Sequence, residues 1–255
     1  MIRFAWASLA MAIALTAWSV GGAQELADGV RPLRVGTMAD VPGLLPAGVL
    51  LLHDPSAIEG FLTDLDDHPP NWDRVHGPDV TDHDQRLSDL NGERDQRRKG
   101  RAALEQPVAF VWEGQLSSYD PPRAGFHVAL GPMVLSTRWG LVRFKPAGLP
   151  GTMVAVAPPG ARRDLRRRVE WGERLAVLIV FTGRLVSEES IIYDLSHEEP
   201  RQGMVMPVVR VERVEYLLVQ TTGGGQAGLP GVFRAAEAGS AGVLEGKSEV
   251  AVAGS

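Results

Sequence analysis

The feature that most constrains the fold is a series of short β-branched and aromatic segments that begins at Val108. Three of them, 125–130, 140–144 and 153–157, are bounded by glycine or proline, which is typical of short β-strands. A proline-led, arginine-rich segment at 158–170 interrupts the series and predicts one short helix. The strand candidates are 108–112, 125–130, 140–144, 153–157, 174–186 and 208–219. The sequence therefore predicts a mainly β domain with one short internal helix, preceded by a mixed helical N-terminal extension.

The order of these segments favours a small barrel. Several strands, one short helix and two long strands follow one another as in OB-fold barrels, and closing a sheet removes its exposed edges. A β-sandwich of the same length would use similar strands, so both architectures stay open. Gly183 is expected to mark a bend or bulge. The residues expected to face one another inside the barrel, or at its bend, are Leu178, Val180, Phe181, Val209, Val211 and Val214. The tryptophans expected to pack in the core or at its rim are Trp112, Trp139 and Trp171.

Composition divides the chain into four parts. The last part, 221–255, contains nine glycines and seven alanines, and such a segment cannot bury enough side chain to offset the entropy of ordering it. The third part, 108–220, carries most of the strand-like residues and is predicted to fold alone. The parts are a signal peptide at 1–23, a polar extension with short helices at 24–107, the β-rich domain at 108–220 and a flexible tail at 221–255.

Two helices are predicted within the extension. Apolar residues recur at helical spacing over 57–65, and Ser56 precedes them as a candidate cap. The segment 82–104 lacks proline and is rich in charged helix formers, which predicts a charged surface helix.

The N-terminus has the pattern of a secretory signal peptide. One arginine is followed by an uncharged run of 17 residues at 4–20, shorter than the roughly 20 residues of a spanning helix. Small residues stand at Gly21 and Ala23, which predicts cleavage after Ala23. We therefore expect a periplasmic or secreted protein that begins at Gln24 and touches the membrane only transiently, through its signal peptide. An uncleaved anchor is the alternative.

Charge and cysteine content exclude several classes of function. The formal net charge is −5, whereas nucleic-acid-binding domains usually carry a basic face, so a nucleic-acid partner is not expected. The chain contains no cysteine. Disulfides, thiolate catalysis and cysteine-ligated metals are therefore excluded.

One short motif resembles a group of known sequences. The segment 116–120 reads Leu-Ser-Ser-Tyr-Asp and is followed by Gly125-Phe126. This L-x-x-Y-D…F pattern resembles exported bacterial domains of unknown function, and 189–207 is similar to a family signature. The resemblance spans at most 104–220. It implies an exported β-rich domain and brings no known reaction, so no catalytic residue is transferred.

Four histidines are candidate metal ligands. His53, His68, His76 and His83 fall within 31 residues, and nine carboxylates lie between His53 and Asp84. Imidazole and carboxylate groups suit zinc, manganese or iron, but the spacing matches no metal-binding motif. A solvated acidic connector explains the same residues. A divalent metal is thus one candidate cofactor.

A polar segment between the two long strands is the candidate site. It contains Tyr193, Asp194, His197 and Glu198, which could shuttle protons or bind a metal. Ser196 lies beside His197, but catalytic triads are assembled from residues distant in sequence and no G-x-S-x-G motif is present. A polar hairpin loop is the alternative.

The arginine-rich helix is a candidate contact for an anionic partner. Its Arg162, Arg163, Arg166 and Arg167 could meet lipid headgroups, lipopolysaccharide phosphate or an acidic protein, or could form a solvated helix face.

The sequence favours an exported, soluble, non-enzymatic module that binds a protein or an envelope component. The alternative is a metal-dependent hydrolase or metal-binding protein that uses 53–84 and His197.

Overall fold

The computed structural model describes five stretches of the chain. They are residues 29–76, 82–131, 133–189, 191–195 and 203–219. The predicted signal peptide at 1–23 and the predicted tail at 221–255 lie outside the described residues. Among the helices of the described stretches, none is both long enough and apolar enough to cross a membrane.

The described residues are mainly β. The strands are β1 Val30–Val35, β2 Leu50–Leu52, β3 Val108–Asp120, β4 Gly125–Leu130, β5 Leu135–Thr137, β6 Gly140–Val142, β7 Lys145–Ala147, β8 Val154–Val156, β9 Leu175–Leu185, β10 Ile191–Leu195 and β11 Gly203–Leu218. The α-helices are α1 Pro55–Asp66, α2 Asp73–His76, α3 His83–Arg98 and α4 Pro159–Glu170. Three 3₁₀ turns lie at Met38–Leu44, Ala102–Leu104 and Ser187–Glu189.

Six strands close into a barrel. Their order is β1, β8, β4, β3, β9 and β11, and β11 pairs with β1 to complete the ring. β1 is parallel to both of its neighbours, and the other pairs in the ring are antiparallel. The remaining strands add to the outside of β3 and β11, directly or through a neighbour. The predicted barrel class is confirmed, and α4 lies between β8 and β9 as the predicted internal helix.

Strand β1 differs from the sequence expectation. It belongs to the segment assigned to the extension, yet its first half pairs with β8 and its second half with β11. Leu33, opposite Tyr216, is 2% exposed and lies in the core. The reason it was missed is that Pro32 and two arginines hide the strand pattern. The unit 108–220, predicted to fold alone, therefore lacks one of the six barrel strands.

The two central strands β3 and β9 are buried on both faces. Inside the barrel, Phe110 stacks on Phe181 with ring centroids 5.1 Å apart. On the outer face, Leu178 and Val180 pack in a second apolar cluster around Val41, which belongs to the 3₁₀ turn before β2. The predicted inward position is thus confirmed for Phe181 and wrong for Leu178 and Val180. A strand covered on both faces is apolar without alternation, as parallel sheets buried on both faces are, so the sequence could not separate its two sides.

A bulge lies opposite Gly183, in β11, whereas the sequence predicted a bend or bulge at Gly183 itself. The pairing of β9 with β11 shifts by one residue between Val211 and Arg213, opposite Gly183 and Thr182. A Cβ on Gly183 would collide with the carbonyl oxygen of Arg210. Glycine therefore permits the close approach of the two strands at this bulge.

Helix α1 covers the core with one apolar face. Its N-cap is Asp54, whose carboxylate accepts a hydrogen bond of 3.0 Å from the backbone N–H of Ala57, so Ser56 is not the cap. The apolar spacing that predicted the helix is confirmed by four buried residues: Ile58, Phe61, Leu62 and Leu65.

Candidate functional site

Helix α4 is attached to the barrel through a narrow apolar contact. Pro159 at the first helical position fixes a helical φ, and Leu165, 3% exposed, is the buried residue of the helix. Gly172 follows the helix with φ +79°, a conformation that ends helices readily because glycine lacks a Cβ. Ala161 and Val169 are half-buried against the core beside it, and the opposite side of the helix is exposed.

Several arginines of α4 are held by carboxylates. Arg166 pairs with Glu170 at 2.7 Å and Arg167 with Asp164 at 2.6 Å. Arg168 donates two hydrogen bonds, of 2.7 and 2.6 Å, to Glu173. The hydrogen bond from Arg168 holds the pKa of the Glu173 carboxyl below its usual value. These exposed pairs fix side-chain positions more than they stabilise the fold.

Two side chains of this helix region stand out because they are not held in this way. Arg163 is exposed and has no hydrogen-bond or ion-pair partner in the described part of the chain. Trp171 is 77% exposed, and the guanidinium of Arg167 lies 5.3 Å from its ring centroid. The sequence placed Trp171 in the core or at its rim, and the high exposure makes that prediction wrong. Trp112 and Trp139 are buried as expected.

A groove of about 670 Å³ separates α4 from the end of β3. Strand β3 pairs with β9 only as far as Leu116, while its pairing with β4 continues to Asp120. From Ser117 onward, the β9 side of β3 has no strand partner among the described residues. The lining residues are Gln115, Leu116, Ser117, Ser118, Tyr119, Pro121, Arg166, Val169, Glu170, Gly172, Glu173 and Arg174.

Tyr119 forms part of this groove. Its ring packs against Phe126, with centroids 5.2 Å apart, and the guanidinium of Arg166 lies 5.2 Å from its centroid. Such a cation–π contact orients both groups. The groove thus combines an open strand edge, an aromatic ring and charges of both signs.

The carboxylate of Asp120 closes the turn beside the groove. It accepts hydrogen bonds from the backbone N–H of Arg123 at 3.2 Å and from its guanidinium at 2.7 Å. The guanidinium hydrogen bond is the main reason that the pKa of Asp120 lies below its usual value. The imidazole of His127 is 3.8 Å away. These contacts assign Asp120 to stabilising the β3–β4 turn.

The candidate metal ligands do not converge where they are described. His53 precedes α1 and His68 follows it, so a helix of 12 residues, about 18 Å long, lies between them. His68 donates from Nδ1 to the carbonyl of Pro69 at 3.0 Å and accepts at Nε2 from Arg97 at 2.7 Å. Within the described residues, no three His, Asp or Glu side chains are placed to hold a metal. His76 and His83 lie at the end of α2 and the start of α3, but their side chains are outside the described part.

The polar segment is only partly described. Tyr193 and Asp194 belong to β10, which pairs with β11 so that Tyr193 is opposite Val205. Their side chains, and all of His197 and Glu198, lie outside the described residues. The structure therefore places the backbone of Tyr193 and Asp194 beside the first residues of β11, and the chemistry of the segment stays a prediction.

The structure reveals a buried ion pair that the sequence did not predict. Arg94 and Asp66 are each 0% exposed, and Arg94 Nη1 lies 3.3 Å from Asp66 Oδ2. Arg94 also donates to the carbonyl of His68 at 3.0 Å and lies 5.4 Å from the ring centroid of Trp139. One signal was present: Arg94 follows Leu87 at the spacing of two helical turns, on the half-buried face of α3.

The four candidate contacts for an anionic partner have different surroundings. Arg162 is half-buried and donates to the carbonyl of Ala157 at 3.3 Å. Arg166 lines the groove, whereas Arg163 and Arg167 do not and instead line a second depression on the outer side of α4. The predicted cluster is thus divided between the groove and the outer face.

Comparisons with known proteins give no relationship for this chain. No protein-family model, no curated protein and no solved structure matches it.

Proposed function

We propose that the chain is an exported, non-enzymatic module, cut after Ala23, that binds a protein of the cell envelope. The observation that carries this proposal is the groove between β3 and α4, because it exposes the unpaired edge of a strand. An unpaired edge presents N–H and C=O groups to which an extended segment of another protein can add as a strand.

The walls of the groove favour a peptide over a strongly charged polymer. Two arginines, Arg166 and Arg174, and two carboxylates, Glu170 and Glu173, contribute to its lining. A groove of mixed charge lacks the continuous basic surface that a polyanion binds. A polar peptide finds both donors and acceptors here, and the Tyr119 ring adds an apolar contact.

Mutation of the floor of the groove tests the proposal. Ser118 is exposed on β3, and Ser118→Arg would fill the groove. Ser136 is exposed on β5, which does not line the groove, so Ser136→Arg is the matched control. Pull-down from envelope extract should recover one protein with the wild type and with Ser136→Arg, but not with Ser118→Arg. Equal recovery with all three would contradict the groove as the binding site.

Two further measurements test the rest of the proposal. The intact mass of protein from the periplasmic fraction should correspond to a chain that starts at Gln24, and a mass that retains residues 1–23 in the membrane pellet would indicate an anchor. Metal analysis of untagged protein should find no stoichiometric divalent ion. Stoichiometric metal that is lost with His68→Ala and His76→Ala would support the metal-dependent alternative.

A further inference from the structure

The outer side of α4 presents arginine and tryptophan together at the protein surface. Arg163, Arg167 and Trp171 follow one another at intervals of four residues, and we call these three residues the arginine–tryptophan face. We propose that this face docks the protein onto an anionic phospholipid membrane. The proposal is independent of the groove, which uses the neighbouring side of α4.

The geometry of the helix directs this face away from the barrel. Residues of an α-helix are about 100° apart around the axis, so Arg167 lies about 160° from Leu165, the residue that anchors α4. Arg163 and the position of Trp171 lie within about 40° on either side of Arg167. A flat surface could therefore approach all three side chains without meeting the barrel.

The charge of this region complements an anionic surface. Helix α4 carries five arginines and two carboxylates, although the whole chain has a net charge of −5. Arg163 has no partner in the described part of the chain, so it can bind an external phosphate without breaking an internal ion pair. Arg163 and Arg167 also line a shallow depression of about 360 Å³ with Pro159, Gly160 and Asp164. Arginine matches phosphate through its planar fork of donors.

Trp171 supplies the second element that a membrane interface requires. At 77% exposure it is the most exposed large apolar side chain described, ahead of Val35 at 54%. Tryptophan is enriched where membranes meet water, because its ring is apolar and its N–H remains hydrogen-bonded. Together with the arginines, it gives this face both a charged and an apolar contact with headgroups.

A membrane suits this face better than a protein partner does. A stable protein interface buries about 800 Å² on each side and is closely complementary in shape. The arginine–tryptophan face is a narrow strip of three side chains on one helix. A fluid headgroup layer adapts to such a strip, whereas a protein would need more surface.

Vesicle flotation of the full chain tests the proposal. Vesicles of phosphatidylglycerol and phosphatidylethanolamine are compared with vesicles of phosphatidylcholine. The apolar run at 4–20 contributes to both, so the measured quantity is the ratio of the two binding constants. The wild type should favour anionic vesicles, and the preference should fall at about 1 M salt. Arg163→Gln/Arg167→Gln should lower the ratio by about tenfold or more.

A matched pair of arginines elsewhere provides the control. Arg184 is ion-paired with Glu212 at 3.5 Å, and Arg210, its cross-strand neighbour, is exposed. Arg184→Gln/Arg210→Gln changes the net charge equally and should keep the wild-type ratio. A ratio near one for the wild type, or the same loss in both double variants, would overturn the proposal.

Two readouts separate a membrane from other anionic ligands. Lipids brominated near the headgroup should quench the fluorescence of the wild type more than that of Trp171→Phe, and this difference between the two proteins should be seen only in anionic vesicles. Inorganic phosphate should displace the protein no more than chloride of equal ionic strength does. Stronger displacement by phosphate, or equal quenching of both proteins, would mean that the face binds a free anion or does not touch the bilayer.

Discussion

Helices α3 and α4 have similar compositions and opposite environments. They carry four and five arginines, and few of their residues are apolar. In α3, Arg94 and Arg98 are 0% and 4% exposed, whereas α4 buries Leu165 and keeps most of its arginines at the surface. The comparison shows that the surroundings of an arginine decide its role. Arg94 contacts the Asp66 carboxylate, the Trp139 ring and a backbone carbonyl, whereas no such set of groups covers the exposed arginines of α4.

The largest expected effect is at the buried ion pair. Arg94→Ala would leave the Asp66 carboxylate buried without its main counter-charge, which should lower the free energy of unfolding by about 3–5 kcal/mol. Arg86, exposed on the same helix, is the control, and Arg86→Ala should change it by less than about 0.5 kcal/mol. Urea denaturation followed by circular dichroism measures both. Equal effects of the two variants would break the contrast between buried and exposed arginines.

The second effect concerns the one buried residue of α4. Leu165→Ala removes the apolar anchor of the helix and should cost about 2–4 kcal/mol in the free energy of unfolding. Val169→Ala, at a half-buried position of the same helix, should cost less. If neither variant lowers the denaturation midpoint, α4 is attached by other contacts, and its arginines would have to be re-examined as structural residues.

A smaller effect is expected at the surface of α4. Arg167→Ala removes an exposed ion pair with Asp164 and should change the free energy of unfolding by less than about 0.5 kcal/mol. That change should vanish at high salt, because exposed charges are screened. The decrease in the free energy of unfolding caused by Arg94→Ala should persist in the same salt titration. If Arg167→Ala changed the free energy of unfolding by more than about 2 kcal/mol, Arg167 would stabilise the fold as the buried arginines of α3 do.

The smallest effect is a shift in protonation. The pKa of Glu173 lies below its usual value because Arg168 donates hydrogen bonds to the carboxylate, so Arg168→Gln should raise it toward the ordinary value. The contribution to stability is present above the ordinary pKa of glutamate, and it is lost as the pH falls through the lower, folded-state pKa. Carbon-13 NMR titration of the Glu173 carboxyl measures the shift. An unchanged pKa would show that the pair does not form in solution.

The sequence predicted the barrel in part: for the long strands β3 and β11 it predicted 108–112 and 208–219, whereas the structure extends them over Val108–Asp120 and Gly203–Leu218. The segments 125–130, 158–170 and 174–186 match β4, α4 and β9 within one residue or so at each end, since glycine and proline mark their ends. β1 was missed because Pro32 interrupts its apolar residues and its pairing depends on distant strands. Local pattern cannot show which remote strand will close a ring.

The residues of the candidate site could be selected from the sequence, but their arrangement in space could not. The sequence selected the arginines of α4, but only the fold shows that Arg163 points outward and that Arg166 lines a groove. The exposure of Trp171 was also not predictable from its neighbours in the sequence, which favour a position in the core or at its rim. The buried position of Arg94 could not be predicted either, because its partner Asp66 belongs to another helix.

Helix α3 contributes a buried arginine to the fold, and the outer face of α4 is exposed. The most direct test measures unfolding free energy and the preference for anionic vesicles on the same two proteins, Arg94→Ala and Arg163→Gln/Arg167→Gln. We expect the first to lose several kcal/mol of stability and, under conditions where it remains folded, to keep its preference for anionic vesicles. We expect the second to keep its stability and lose that preference. A destabilised α4 variant, or one that still prefers anionic vesicles, would contradict this division of roles.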